Sequence, residues 1–268
     1  MIQYNVYKDG KKCIVTFSYD DGTHYDRRLV EIFNKYGIKG TFHLNSGFMK
    51  FDKNRIQPEE VKELYAGHEV SCHTMFHPTI AEANSASCVL DVIEDRRNLE
   101  RLCGYAVRGM SYPNGSYSDD VIKLMRACGI VYSRTTVPGN FKMPEDFMLW
   151  NPTCHHKQAM EKAKEFMNNI VETGWRRGLL YIWGHSYELA GDEENNSFEY
   201  MEKLCEYIGG DDRIWYATNI EIYDYVMAQR SLIITVDENI ITNPTTIDVW
   251  IDKDGKIIKI PAGETVVL

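Results

Sequence analysis

What this chain lacks removes several classes of function before any motif is considered. No apolar run approaches the roughly 20 residues that a membrane-spanning helix needs, so no membrane partner is expected. Basic residues are in the minority: 30 Lys and Arg against 39 Asp and Glu leave a net charge of -9. That is the wrong sign for a protein that neutralises nucleic-acid phosphates, and it fits a neutral substrate or a product that leaves as a cation. The seven cysteines, Cys13, Cys72, Cys88, Cys103, Cys128, Cys154 and Cys205, are odd in number and show no C-x-x-C spacing. They read as small core residues in a reducing compartment rather than as a disulfide framework, a metal cluster or nucleophiles. Residues Met1 to Gly10 carry neither a basic nor an apolar leader pattern, so a cytoplasmic location is the expectation, with a removed leader as the alternative. There is no internal repeat, and 268 residues suffice to bury a sizeable core without covalent staples.

What is present is concentrated in two short stretches, Thr16-Phe17-Ser18-Tyr19-Asp20-Asp21-Gly22 and Gly67-His68-Glu69-Val70-Ser71-Cys72-His73-Thr74-Met75-Phe76-His77-Pro78. Asp20 and Asp21 follow the apolar run Cys13 to Phe17, so they emerge where a buried strand ends, the usual place for chemistry in α/β enzymes. His73 and His77 are four apart, a spacing that on a helical turn puts both imidazoles on one side. One Asp and two His leave open positions on a divalent ion, the feature that separates a catalytic zinc site from a structural one. Taken singly, Asp-Asp-Gly is more often a solvated turn, and a His pair at this spacing arises by chance among eight histidines. The joint context, an acidic pair at one strand end and a His pair after another strand-like run, favours the metal site.

From Lys12 to about Gln229, strand-like runs alternate with amphipathic helical stretches, the pattern of a parallel sheet or barrel with helices outside. Strands are expected at 13–19, 40–45, 69–73, 105–112, 130–135, 179–184 and 214–217. Helices are expected at 25–36, 58–65, 118–127, 155–173 and 197–208. After residue 230 the pattern changes to alternating residues with Asp-Glu-Asn and Asp-Lys-Asp-Gly turns. Residues 231–268 are therefore expected to form a β-hairpin appendage packed on a barrel of residues 1–230, with Trp250 a packed aromatic rather than a sugar ligand.

At this level of detail the chain resembles carbohydrate esterase family 4, the NodB-homology polysaccharide deacetylases, from about Cys13 to Val226. The first stretch is similar to the family's TFDDG motif with Ser18-Tyr19 inserted, and the second is similar to its GHEIGxHTxxH segment. Gly40-Thr41-Phe42-His43, Ser111-Tyr112-Pro113-Asn114-Gly115 and Tyr181-Ile182-Trp183-Gly184-His185 resemble its second strand, third motif and fifth motif. The Gly184-His185-Ser186-Tyr187-Glu188 form looks most like the branch associated with gellan lyase. The resemblance implies an α/β fold of the distorted (β/α) barrel type. It implies Asp21, His73 and His77 as ligands of a divalent metal, with zinc preferred over cobalt, nickel or manganese. It also implies Asp20 as general base, His185 as general acid and a carbohydrate substrate. Tyr112, Pro113 and Asn114, with a backbone N–H near Asn114, are expected at the oxyanion and substrate side, and Trp150 as a cleft wall. His68 is expected to support the fold, while His155 and His156 open a helix and solvate or cap it, with a role in the cleft as the alternative.

Two departures stand out. The third motif of the family carries an arginine that orients the base, but Ser111 occupies that position, and Arg108, an odd number of residues away, should face the other side of its strand. The acid-tuning Asp of the fourth motif has no clear counterpart around Trp150, which leaves Glu188 or Asp192 as candidate partners of His185. The expected activity is N-deacetylation of acetylated amino sugars. The alternatives are hydrolysis of a small cyclic amide or ureide, and carbohydrate binding without catalysis.

Overall fold

The computed structural model describes residues 1–268. In chain order the first half contains β1 (Ile2–Gln3), β2 (Cys13–Asp21), α1 (Asp26–Lys35), β3 (Gly40–Leu44), α2 (Val61–Leu64), β4 (Glu69–Cys72), α3 (Ser85–Cys103), β5 (Gly109–Ser111), α4 (Asp119–Ala127) and β6 (Tyr132–Arg134). The second half contains β7 (Cys154–His155), α5 (Ala159–Phe166), β8 (Gly178–His185), α6 (Phe198–Ile208), β9 (Ile214–Tyr216), α7 (Asn219–Arg230) and five short strands, β10 (Ile233–Ile234), β11 (Ile240–Thr242), β12 (Val249–Lys253), β13 (Lys256–Ile260) and β14 (Thr265–Val267).

Strands β6-β5-β4-β3-β2-β8-β7 form one curled parallel sheet, with β9 added beside the start of β2. Residues 150–155 bridge its two edges: Trp150 pairs with Arg134 of β6, and Cys154 and His155 pair with Ile182 and Trp183 of β8. This is the α/β barrel-like architecture expected from the alternating pattern.

Strand periodicity assigns the two sides of this sheet. Along β2, Cys13, Val15, Phe17 and Tyr19 join the large apolar core that also takes in helix residues such as Leu29, Phe33 and Met201. The intervening Thr16, Ser18 and Asp20 are equally buried and engage polar partners from other strands and from α7. Ile14 joins a separate, largely aromatic cluster with Tyr132, Trp150, Tyr181 and Trp215. The same alternation puts adjacent aspartates in different places, with Asp20 at 3% exposure and Asp21 half-buried at the rim.

Some boundaries differ from the sequence expectation. The 105–112 strand contracts to Gly109–Ser111. The helix expected from His155 begins at Ala159, because pairing with β8 draws Cys154 and His155 into the sheet. The 19-residue α3 was not among the expected helices. Its inward stripe, Cys88, Val92, Asp95 and Leu99, contains a buried acid that breaks the apolar pattern.

The C-terminal strands form two three-stranded antiparallel sheets, β1-β12-β13 and β10-β11-β14, around Ile241, Ile251 and Ile260. The turn between β12 and β13 uses Asp254 and Gly255, both at positive φ, as a two-residue hairpin loop requires. One of these sheets takes its edge strand, Ile2–Gln3, from the segment assigned by sequence to the barrel. Gln229 at the end of α7 donates to the carbonyls of both Val6 and Trp250, tying the appendage down. Trp250 packs beside the inner aromatic cluster with Lys259 over its ring.

Candidate active site and metal centre

The C-terminal ends of β2, β4, β5, β6 and β8 converge on Asp20. Its Oδ1 accepts from Ser111 Oγ at 2.9 Å, and its Oδ2 pairs with Arg134 Nη2. Burial alone would raise the Asp20 carboxyl, but the Arg134 guanidinium and nearby imidazoles outweigh it and hold the group far below the ordinary carboxylate range. Asp20 is therefore ionised and acceptor-only at neutral pH. Asp21 turns outward at φ +78, followed by Gly22 at φ +61, so the chain leaves the strand at once. Arg55 Nη1 lies 3.5 Å from Asp21 Oδ1 and also donates to the Asp21 carbonyl.

His73 follows β4 with 1% exposure. Its Nδ1 sits 2.9 Å from the Ser111 carbonyl and 2.7 Å from Ser111 Oγ, and Ser111 already donates its hydroxyl proton to Asp20. A carbonyl beside Nδ1 fixes the proton there, and a buried imidazole kept below its ordinary pKa stays neutral. The Nε2 lone pair is thus exposed to the site. That atom is buried, has no hydrogen-bond partner, and lies 3.9 Å from Asp20 Oδ2. A buried acceptor left without a donor is costly unless a cation meets it. One ligand atom from each of Asp21, His73 and His77 falls within 4.8 Å of the others. The donor set, the fixed tautomer and the orphaned Nε2 all fit a divalent ion of the zinc type.

The loop that brings the two imidazoles together is not a helical turn. Thr74 and His77 both take left-handed φ, +65 and +53, and the His73 and His77 rings meet edge to face at 4.8 Å. A β-branched residue at positive φ is strained, and α3 supplies the restraint. Asp95 accepts from His73 N at 3.1 Å, Ser46 N at 2.8 Å and Cys72 Sγ at 3.0 Å, and Asp91, one turn earlier, accepts from Met75 N at 2.9 Å.

Arg134, which the sequence reading did not single out, pairs with Asp20. It is fully buried, donates from Nε to Ser18 Oγ at 3.1 Å, and stacks over Trp183 at 4.3 Å. Arg108 points away, as expected, and pairs with Asp224.

His185 ends β8 directly across from Asp20 in strand register. Glu188 Oε2 accepts from His185 Nδ1 and from the His185 backbone N–H, both at 3.2 Å, which leaves Nε2 free of that contact. Burial alone would depress the imidazole, but Glu188 and the two aspartates outweigh it and the pKa is raised. Of the two acids named as candidate partners, the contact belongs to Glu188. His155 also reaches that oxygen, at 3.0 Å. His156 is buried between Tyr19 and Asn196, and His68 accepts from Gly40 N, so both are framework residues.

The expected substrate side needs correction. Trp150 is 1% exposed, packed edge-on against Tyr132, Phe147 and Tyr181, because residue 150 closes the sheet; it offers no wall to a cleft. Tyr112 is buried as well: its hydroxyl donates to Met148 O and its N–H to Arg134 O, so neither faces an oxyanion. Pro113 is buried, and only Asn114 is exposed, at φ +55 with its amide on Thr79 Oγ1. An open aromatic face comes instead from Tyr187, 43% exposed and 5.1 Å from the His185 ring.

Comparison with known proteins finds deacetylases. Residues 7–133 match the family model for polysaccharide deacetylase. Among curated proteins, a chitin deacetylase of Arthroderma benhamiae is 30% identical over 118 residues, 41% of this chain and 30% of that protein. A chitooligosaccharide deacetylase of Sinorhizobium fredii is 27% identical over 120 residues, 43% and 54% of the two chains. A peptidoglycan-N-acetylglucosamine deacetylase of Bacillus cereus is 28% identical over 115 residues, 42% and 40%. The matched regions thus span about half or less of these relatives' lengths. A Mycobacterium smegmatis structure assigned to the polysaccharide deacetylases superposes with TM-score 0.62 at 18% identity, covering 86% of this chain and 96% of that one. The peptidoglycan deacetylase PdaC of Bacillus subtilis gives 0.52 at 13% identity, covering 82% and 94%. The structural matches establish the fold; the family model and homologues together support a polysaccharide deacetylase (NodB-homology, carbohydrate esterase family 4) domain in this chain. Those homologues are hydrolases acting on carbon–nitrogen bonds other than peptide bonds.

Proposed function

We propose that this protein is a metal-dependent deacetylase that removes N-acetyl groups from amino sugars of an oligo- or polysaccharide, with zinc as its metal. The observation that carries the reading is the pairing of an ionised, buried Asp20 with a tautomer-fixed His73 whose free Nε2 lies 3.9 Å away, in front of His185 on the neighbouring strand. A divalent cation held by Asp21, His73 and His77 would supply Lewis acidity toward an amide carbonyl and toward water.

The chain's own residues then divide the proton traffic. Asp20, already ionised, takes the proton of the attacking water at a carboxylate oxygen, while Ser111 and Arg134 keep that carboxylate in place. Water oxygen bonds to the acetyl carbon, the carbon–nitrogen bond breaks, and His185 Nε2 gives the departing nitrogen its proton. Acetate and a free amine result. Glu188 on Nδ1 supports the imidazolium this step needs. The exposed ring of Tyr187 beside His185 suits a sugar face. The Gly184 to Glu188 sequence, which resembles the gellan-lyase-associated branch, keeps the acid and its carboxylate partner three residues apart.

An inactive carbohydrate-binding relative rests on the absent motif arginine and the unclear fourth motif; Arg134 beside Asp20 and Glu188 beside His185 speak against it. The test is acetate release from N-acetylated chito-oligosaccharides by chelator-treated protein, before and after zinc or cobalt is restored. Asp20→Asn should lose turnover while retaining metal. Ring-opened product from a cyclic amide with no acetate would favour the small-amide alternative, and sugar binding with neither product would point to a protein without catalysis.

A further inference from the structure

Beside the Asp21, His73 and His77 group the chain carries a second His-His-carboxylate set, one ligand atom from each of His155, His185 and Glu188 lying within 4.8 Å of the others. Nothing in the deacetylation steps uses His155. Its position is nonetheless built: β7 and β8 are adjacent parallel strands, His155 ends one and His185 the other, and Glu188 lies in the single tight turn after β8. Glu188 Oε2 is 3.0 Å from His155 Nε2 and 3.2 Å from His185 Nδ1. Those separations are close to the ligand-to-ligand distances around a small cation bound at about 2.0–2.2 Å. Trp183 lies against both rings, at 5.0 and 5.7 Å, an apolar flank that limits competing water. All three side chains are about one-fifth exposed, so an ion can reach them from solvent.

We propose that His155, His185 and Glu188 form a second divalent-cation site, selective for zinc-like borderline ions, whose occupation disables the acid. Two imidazoles and one carboxylate suit zinc, cobalt, nickel or copper and do not suit magnesium or calcium. Binding moves the hydrogen that His155 Nε2 directs at Glu188 onto Nδ1, which gives up the 3.4 Å contact it accepts from Lys157 N, and sends the one on His185 Nδ1 to solvent or to Nε2. With a cation on Nδ1, the His185 ring can no longer be imidazolium. Nε2 then keeps its hydrogen as a neutral azole, and the leaving nitrogen receives no proton. The first site needs the ion for activity and the second loses activity to it, so excess zinc inhibits. Binding itself is independent of the proposed deacetylation; the inhibition rests on it.

Calorimetric titration of chelator-treated protein with zinc, and with cobalt followed by its visible absorption, reads both sites without any turnover. Two binding events are expected for the native chain. One is expected for His155→Gln, which can still hydrogen-bond to Glu188, and for His155→Asn, which can still cap the turn after β7; unchanged melting temperatures certify that both variants fold. Asp21→Asn should lose the other event. In acetate release, the native protein should rise and then fall with added zinc, whereas the His155 variants lose the falling limb. A single event in the native protein, or a second event of unchanged affinity in both His155 variants, overturns the site. Two events that depend on His155, without acetate release at any zinc concentration, uphold the site and refute the deacetylase reading instead.

Discussion

Ser111 and Arg134 stand directly opposite each other on adjacent parallel strands, and both reach the same carboxylate, Ser111 at Asp20 Oδ1 and Arg134 at Oδ2. The arginine that the resemblance places at position 111 thus stands one strand sideways, still paired with Asp20. Asp20 receives a guanidinium from β6 and a hydroxyl from β5.

That register makes the arrangement reversible. Arg134→Met should lower kcat by roughly 10²-fold or more and destabilise the fold by about 3–5 kcal/mol, because a buried carboxylate is left without its cation. The exchange variant Ser111→Arg with Arg134→Ser returns the charge from the facing position and should recover part of both losses. Steady-state kinetics and urea unfolding of the three proteins decide it; a double variant no better than Arg134→Met would show that the guanidinium cannot serve Asp20 from strand β5.

In the proposed mechanism Glu188 should set the alkaline limit of activity. His185 is raised above the ordinary imidazole value only because Glu188 and the aspartates outweigh burial, which acts in the opposite direction. Glu188→Gln removes the largest of the opposing influences, so the acid should lose its proton at lower pH. The descending limb of kcat against pH should move toward acid while the ascending limb stays in place. An unmoved descending limb would detach Glu188 from the acid.

Much of this site was readable because its parts are local in sequence. Asp20 and Asp21 sit at the end of a nine-residue buried strand, and His73 and His77 lie in one loop. The loop's conformation was not readable: four-residue spacing suggested a helical turn, and the chain instead uses two left-handed residues. Arg134 was invisible because it meets Asp20 across 114 positions, through a strand register that no short motif records. Trp150 was misplaced for a related reason. The resemblance implies a cleft wall at that position, and only the closing of the sheet there buries it. The α3 helix escaped notice because Asp95 interrupts its apolar stripe, and that interruption is what holds the loop of His73.

Asp95 should accordingly govern metal affinity without touching the ion. Its carboxylate holds the N–H groups of His73 and Ser46, fixing a loop strained at Thr74. Asp95→Asn places an amide where at least one of those donors needs an acceptor, and zinc affinity should fall by about 10–100-fold. Competition against a chromogenic chelator measures it. Unchanged affinity with a lowered melting temperature would reduce Asp95 to a packing residue.

The barrel interior gives the fold itself a pH signature through Glu69. Its Oε1 accepts from Tyr132 Oη at 2.6 Å, and its Oε2 accepts from Thr41 Oγ1 and Ile220 N. Burial nevertheless pushes the carboxyl up to about 7, from an ordinary 4.5. A folded-state value above the unfolded one means that the folded protein holds the proton more tightly. The associated stability is therefore complete below about pH 4.5 and is lost as pH rises through about 7. The full span corresponds to about 3 kcal/mol at most. Glu69→Gln can mimic the protonated form, its amide N–H donating to Tyr132 Oη, which turns to Ser71 Oγ 3.1 Å away, while its oxygen keeps Thr41 and Ile220. Relative to the native protein, the variant should gain stability between pH 5 and pH 8 in urea unfolding. A stability difference that is the same at both pH values would mean that Glu69 stays ionised inside the barrel, held by its three donors alone.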